Sequence, residues 1–193
     1  MTTLGLALQA AILFAVTNVD DLVMLALFFA QGAGRDGATA RIAVGQYLGF
    51  VGILAIAVAA AYGATFLPES SIHYLGLIPL TLGLNAAWQT WRHRRSADDG
   101  VRRGGGPTTW SVAAVTFANG GDNVGVYVPV FATSGATRTA LYVVVFLVLL
   151  AGLLVAGRYL ATRPAIASLL SRWGHVLLPV VLIVVGVAIL LGG

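Results

Sequence analysis

Six long apolar runs, at 4–31, 42–67, 73–91, 110–133, 139–157 and 174–193, divide this chain and leave only short polar stretches between them. A helix rising 1.5 Å per residue needs about 20 residues to cross a hydrocarbon core of about 30 Å, and each run reaches or nearly reaches that length. The prediction is an all-α integral membrane protein with six transmembrane helices. With 59% of residues hydrophobic, 9% charged and a mean hydropathy of +0.91, the composition belongs to the same class. The first run lacks a basic leader and carries two aspartates, so it is expected to persist as a membrane span and not to be cleaved as a signal peptide. The chain has no cysteine, which removes disulfides and thiolate metal ligation together.

All 11 basic residues are arginine. Ten fall in the loops after the first, third and fifth spans (Arg35 and Arg41; Arg92, Arg94, Arg95, Arg102 and Arg103; Arg158, Arg163 and Arg172), and Arg138 alone lies in the opposite set. This bias predicts that the odd-numbered loops face the cytoplasm and that both termini are extracytoplasmic. Arginines beside membrane spans account for the pI near 10 without a nucleic-acid partner. Trp88, Trp91, Trp110 and Trp173 fall at the cytoplasmic ends of spans, as an interfacial belt would place them. Residues 92–109 combine mixed charge with a Gly-Gly-Gly-Pro run and no apolar period, so they read as a flexible cytoplasmic linker. The organisation is therefore 1–91 as one three-helix repeat, 92–109 as linker, and 110–193 as a second three-helix repeat. The loops around 68–72 and 134–138 require tight hairpins, and 158–173 is open to being a short interfacial turn.

Of seven carboxylates, Asp20, Asp21 and Asp122 lie inside apolar runs. Each costs about 2.5–3.5 kcal/mol at the centre of a span, so the three mark a pathway for ions, protons or polar solutes. Their surroundings are alike. Phe14-Ala15, an Asn18-x-x-Asp21 tetrad and Phe28-Phe29-Ala30 in the first run match Phe117-Ala118, Asn119-x-x-Asp122 and Phe131-Ala132 in the fourth. Matching the tetrads pairs Asp21 with Asp122; matching the ends pairs Asp20 with Asp122 and Asp21 with Asn123. Both registers stay open from the sequence. With three helices per half, the copies run in opposite directions through the bilayer, an inverted repeat of the kind that places binding sites at the midplane in many secondary transporters. The first run, roughly 42 Å if straight, must tilt, protrude or break, and Gly120-Gly121 weaken the fourth run beside Asp122.

Helical spacing groups Asn119, Asp122 and Asn123, with Thr116 a turn earlier, and groups Thr17 with Asp20 and Asp21 and Asn18 with Asp21. Two such oxygen-rich stripes would make a cage for a divalent cation, with Asp20, Asp21, Asp122, Asn123, Asn119 and Asn18 as metal ligands. Carboxyl groups deprived of water favour their neutral form, so protons would replace the metal in the empty state. Thr17, Gln46 and Tyr127 are expected along the pathway. Gly45, Gly49 and Gly52 read as a close-packing face, and the glycine-rich faces of the second and fifth spans permit a homodimer. Pro79, Pro129 and Pro179 are expected to shape helices; His73, His93 and His175 lie at span ends or in the linker and are not expected to bind metal.

Thr-Asn-Val-Asp-Asp-Leu at 17–22, Gly-Gln-Tyr-Leu-Gly at 45–49, Leu-Gly-Leu-Ile-Pro-Leu at 75–80, Asn-Gly-Gly-Asp-Asn-Val-Gly-Val-Tyr-Val-Pro-Val-Phe at 119–131 and Ser-Arg-Trp at 171–173 carry a resemblance over nearly the whole chain. Together they resemble the cadmium resistance transporters of the lysine exporter superfamily. The resemblance implies a multi-pass exporter of the bacterial plasma membrane that lowers cytoplasmic Cd²⁺ or related divalent ions. Its substrate is the cation, its coupling ion the proton, its surroundings the lipid bilayer, and it needs no resident cofactor. Cadmium is soft and favours thiolate, whereas these oxygen ligands suit harder ions such as Mn²⁺, Mg²⁺ or Ca²⁺.

An amino-acid exporter of the same superfamily and a passive cation channel are the alternative functions. The first would want a positive partner for a substrate carboxylate, and the spans contain no arginine. An enzyme is not expected. An intramembrane aspartyl protease would need Gly-x-Gly-Asp, but Asn119 stands where its first glycine belongs, and no nucleotide-binding loop occurs.

Overall fold

The computed structural model describes residues 3–64, 66, 77, 80, 81, 84, 106–163, 183, 184, 187 and 190. Among these residues there are six bounded helices and no strand: α1 (Thr3–Thr17), α2 (Val19–Gly32), α3 (Ala38–Ala64), α4 (Thr109–Asn119), α5 (Gly121–Ser134) and α6 (Ala136–Ala161). Most of the third and sixth expected spans, most of the linker, Trp88, Trp91, Trp173, Pro79, Pro179 and the three histidines lie outside the described residues.

Among the described residues two helices are long and apolar enough to cross a membrane, α3 with 27 residues and α6 with 26. A third span results if α1 and α2 count together, and these two meet at an angle of 58°. The over-long first run therefore breaks. Asn18 leaves helical geometry at φ −114°, ψ 22°, in the bridge region of the backbone map. Its side-chain Nδ2 donates to the Phe14 carbonyl at 2.8 Å, an oxygen that also accepts from Asn18 N at 3.1 Å, so side chain and helix ladder share one acceptor at the break.

The fourth run also divides, at Gly120 (φ −78°, ψ 11°). Those angles suit any residue; glycine is needed for space, because a Cβ at this position would overlap the Ile53 side chain. The start of α4 is fixed by a reciprocal cap, with Ser111 N donating to Thr108 Oγ1 at 3.1 Å and Thr108 N to Ser111 Oγ at 3.0 Å. Gly135 at φ +74° makes the one-residue turn from α5 into α6, a conformation that favours glycine.

The packing is reciprocal. The broken pair α4–α5 lies chiefly along α3, and the broken pair α1–α2 chiefly along α6. Glycine makes both approaches close: a Cβ on Gly49 would meet the Ala113 carbonyl at 2.7 Å, and one on Gly157 would meet Leu25 Cβ at 2.7 Å. The Gly45, Gly49 and Gly52 face is thus occupied by α4 within the chain. Apolar contacts fall into two clusters. One joins α1, α5 and parts of α3 and α6 around Phe14, Phe50, Tyr127, Phe131, Tyr142 and Phe146. The other joins α2, α4 and the remaining parts of α3 and α6 around Leu25, Phe28, Phe29, Ile42, Val112 and Leu154. The breaks at Asn18 and Gly120 lie between the clusters.

Candidate functional site

Both breaks bring acids to the first turn of a half-helix, Asp20 and Asp21 in α2 and Asp122 in α5. The unpaired N–H groups and positive end of the helix dipole favour an anion there, and Asp122 Oδ1 accepts from Asn123 N at 2.9 Å. This local field offsets part of the desolvation that a carboxylate suffers inside an apolar chain. Asp21 is only 2% exposed, while Asp20 and Asp122 are half-buried.

The two broken helix pairs, α1–α2 and α4–α5, meet at these acids. Asn119, the last residue of α4, donates through Nδ2 to Asp20 Oδ2 at 2.6 Å and to Asp21 Oδ1 at 3.3 Å. Asp20 lies close enough to repel both Asp21 and Asp122, and Asp122 repels Asp21. On the other side of the breaks, Tyr127 of α5 touches the end of α1: its hydroxyl is 2.9 Å from Thr17 Oγ1 and 3.1 Å from Asn18 Nδ2. A second polar contact lies between α3 and α4, where Thr116 Oγ1 donates to Gln46 Oε1 at 2.6 Å.

Several buried polar atoms at the site have no hydrogen-bond partner among the described residues: Asp21 Oδ2, Asn18 Oδ1, both amide atoms of Asn123, and Gln46 Nε2. Groups of this kind are normally satisfied, and three of these atoms are oxygens on residues at or just past the breaks, Asn18, Asp21 and Asn123. They are hard ligands. Carboxylates alone do not suffice, since no group of three or more His, Cys, Asp or Glu among the described residues is arranged to hold a metal ion.

The family model for cadmium resistance transporters matches residues 14–193, which takes in both breaks and every polar residue described above. The chain belongs to the cadmium resistance transporter family. No curated protein and no solved structure matches it. The resemblance carried by the motifs at 17–22 and 119–131 is thereby supported over nearly the whole chain, and this family member is a membrane protein with helices long and apolar enough to cross a bilayer.

Within this family member, the expected grouping by helical face does not hold. Thr17 is separated from Asp20 and Asp21 by the first break, at Asn18, and Asn119 from Asp122 and Asn123 by the second, at Gly120, so each stripe straddles a break. Contacts between the broken spans do the gathering instead. Of the two registers that the sequence left open, the breaks match the one that pairs Asp20 with Asp122 and Asp21 with Asn123, since Gly120 − Asn18 is 102 positions, as is Asp122 − Asp20. Burial follows the same register, with Asp20 and Asp122 half-buried and Asp21 and Asn123 buried. The pairing of Gln46 with Thr116 was not anticipated, because neither residue announces a partner 70 positions away. A cleft of about 460 Å³ at the far ends of α2 and α6, bordered by Arg35, Asp36, Thr39 and Arg158, contains none of the expected site residues.

Proposed function

We propose that the chain is a secondary exporter of divalent cations from the bacterial cytoplasm, carrying Cd²⁺ as its family name suggests and related ions of similar size. The cation is held by Asp20, Asp21 and Asp122 with Asn18, Asn119 and Asn123, and protons take its place on the return. The observation that carries this reading is the Asn119 amide of one broken span bonded to the Asp20 and Asp21 carboxylates of the other. An N–H donor between two anions occupies the position that a positive charge would favour, and a rotated amide offers an oxygen ligand in its place.

The contacts also support opposed directions for the two broken spans. Thr17, before its break, meets Tyr127, after its break; Asp20 and Asp21, after theirs, meet Asn119, before its own. This crossing, together with the reciprocal packing on α3 and α6, favours an inverted repeat around a central site. The six-span topology with cytoplasmic odd-numbered loops follows from the arginine bias, and a plasma-membrane location follows from the exporter reading.

The experiment is cation flux in proteoliposomes carrying an internal Cd²⁺ dye, with and without a pH gradient. Wild-type flux should respond to the gradient and Asp21→Asn should abolish it. Flux indifferent to the gradient would favour a channel; lysine flux without any response to metals would favour the amino-acid exporter.

A further inference from the structure

We propose that Tyr127 is a positioning residue that turns the Asn18 amide so that its carbonyl oxygen is left for the transported cation, an inference that rests on the exporter reading above. Three residues around the first break settle the direction of every proton. Thr17 Oγ1 donates to the Leu13 carbonyl at 3.0 Å, so the Tyr127 hydroxyl donates across 2.9 Å to Thr17 Oγ1. The phenolic oxygen is then free to accept from Asn18 Nδ2 at 3.1 Å. The same Nδ2 donates to the Phe14 carbonyl at 2.8 Å and lies 3.0 Å from Thr17 Oγ1.

Both amide hydrogens of Asn18 are therefore engaged on one side. Turning the amide round would set Oδ1 against the Phe14 carbonyl, which has no proton to give, and would leave the amine end without these acceptors. The oriented amide keeps Oδ1 buried with no partner among the described residues. That is unfavourable in isolation and becomes favourable when a cation supplies the missing partner. The phenol is close enough to Asp21 and Asp122 to interact with their charges, so the tethered amide belongs to the acid cluster.

Water cannot take over from the hydroxyl. Tyr127 is 0% exposed, and its ring packs against Phe146 at 4.9 Å and Phe131 at 5.8 Å between centroids. Removing the hydroxyl keeps the ring packing and leaves the Phe14 carbonyl and Thr17 as the amide's only acceptors.

The test compares wild type, Tyr127→Phe, Asn18→Ala and the double variant in proteoliposomes, measuring KM and kcat for Cd²⁺ and the melting temperature in detergent. Tyr127→Phe should raise KM about tenfold, the lower end of what partners that orient metal ligands contribute, with kcat and melting temperature near wild type. In the Asn18→Ala background the same change should move KM by less than about twofold, because the interaction it acts through is gone. An unchanged KM in Tyr127→Phe overturns the inference, as does a tenfold rise that persists without Asn18, or a loss of kcat and stability with KM intact. Should Tyr127→Phe fail to fold, Thr17→Val removes the hydroxyl that takes the tyrosine proton; a raised KM supports the inference and an unchanged one overturns it. No cation flux in the wild type overturns the exporter reading and this inference with it, whereas normal flux with an unaffected KM overturns this inference alone.

Discussion

Asn119 Nδ2 lies 2.6 Å from Asp20 Oδ2, a contact between residues 99 positions apart that ties the end of α4 to the start of α2. Because the same amide also reaches Asp21, it is a neutral side chain that bridges two acids in a region of low dielectric. Its removal should be felt in both stability and transport.

Asn119→Ala leaves Asp20 and Asp21 without this donor. A hydrogen bond to a charged group contributes about 1.5–3 kcal/mol, so thermal unfolding in detergent should shift down by that equivalent, and added Cd²⁺ should restore much of the loss by binding the native state. A metal response no larger than that of wild type would argue against the cation occupying the same place.

Protons and metal are expected to compete for the same carboxylates. Lowering the pH on the loading side should weaken apparent Cd²⁺ affinity, by up to about tenfold per pH unit for each proton displaced. The sign follows from the ligand: a protonated carboxyl no longer offers an anionic oxygen. Asp21→Asn should flatten the profile as well as lower flux, and titration of metal binding against pH in the two proteins would check it.

The glycine face of α3 makes a graded prediction. Gly49→Ala would set a Cβ 2.7 Å from the Ala113 carbonyl and 2.7 Å from Thr116 Cβ, forcing α3 and α4 apart, at about 1–3 kcal/mol for overpacking. Gly52→Ala meets only the Phe117 ring at 3.1 Å, and that side chain can move. Melting temperatures should therefore fall clearly for the first and little for the second, and Gly49→Ala should disturb transport because α4 carries Asn119.

Thr116→Val removes the donor to Gln46 Oε1 while keeping the shape of the side chain. With Gln46 only 2% exposed and its Nε2 already without a partner among the described residues, the amide would be left wholly unsatisfied, costing about 1–3 kcal/mol. Thr116→Ser should behave as wild type in the same unfolding assay.

Much of this site could be read before any coordinates, and the reasons are specific. Asp20, Asp21 and Asp122 stand out because charge is costly in an apolar run, and Gly120 because paired glycines weaken a helix. Asn18 gave no such signal: no glycine or proline marks the break, and only the length of the first run required one. The repeat register differed by a single residue between two alignments, and side-chain identity could not choose between them; the positions of the breaks match the one that pairs Asp20 with Asp122. Gln46 with Thr116, and Tyr127 with Thr17 and Asn18, depend on contacts over 70 to 110 positions, which no local pattern encodes. The Gly45, Gly49 and Gly52 face was legible as a close approach, though not its occupant, α4.

The corner at Asn18 also adjusts the first span to its surroundings. With α1 upright, its 15 residues rise roughly 22 Å, and the 14 residues of α2, inclined by 58°, add about 11 Å. The sum, about 34 Å, nearly equals the hydrocarbon thickness, so in a bilayer an elbow would relieve hydrophobic mismatch without leaning the entire rod. So placed, the elbow would fall well below the headgroups and carry the acids that follow it to that depth.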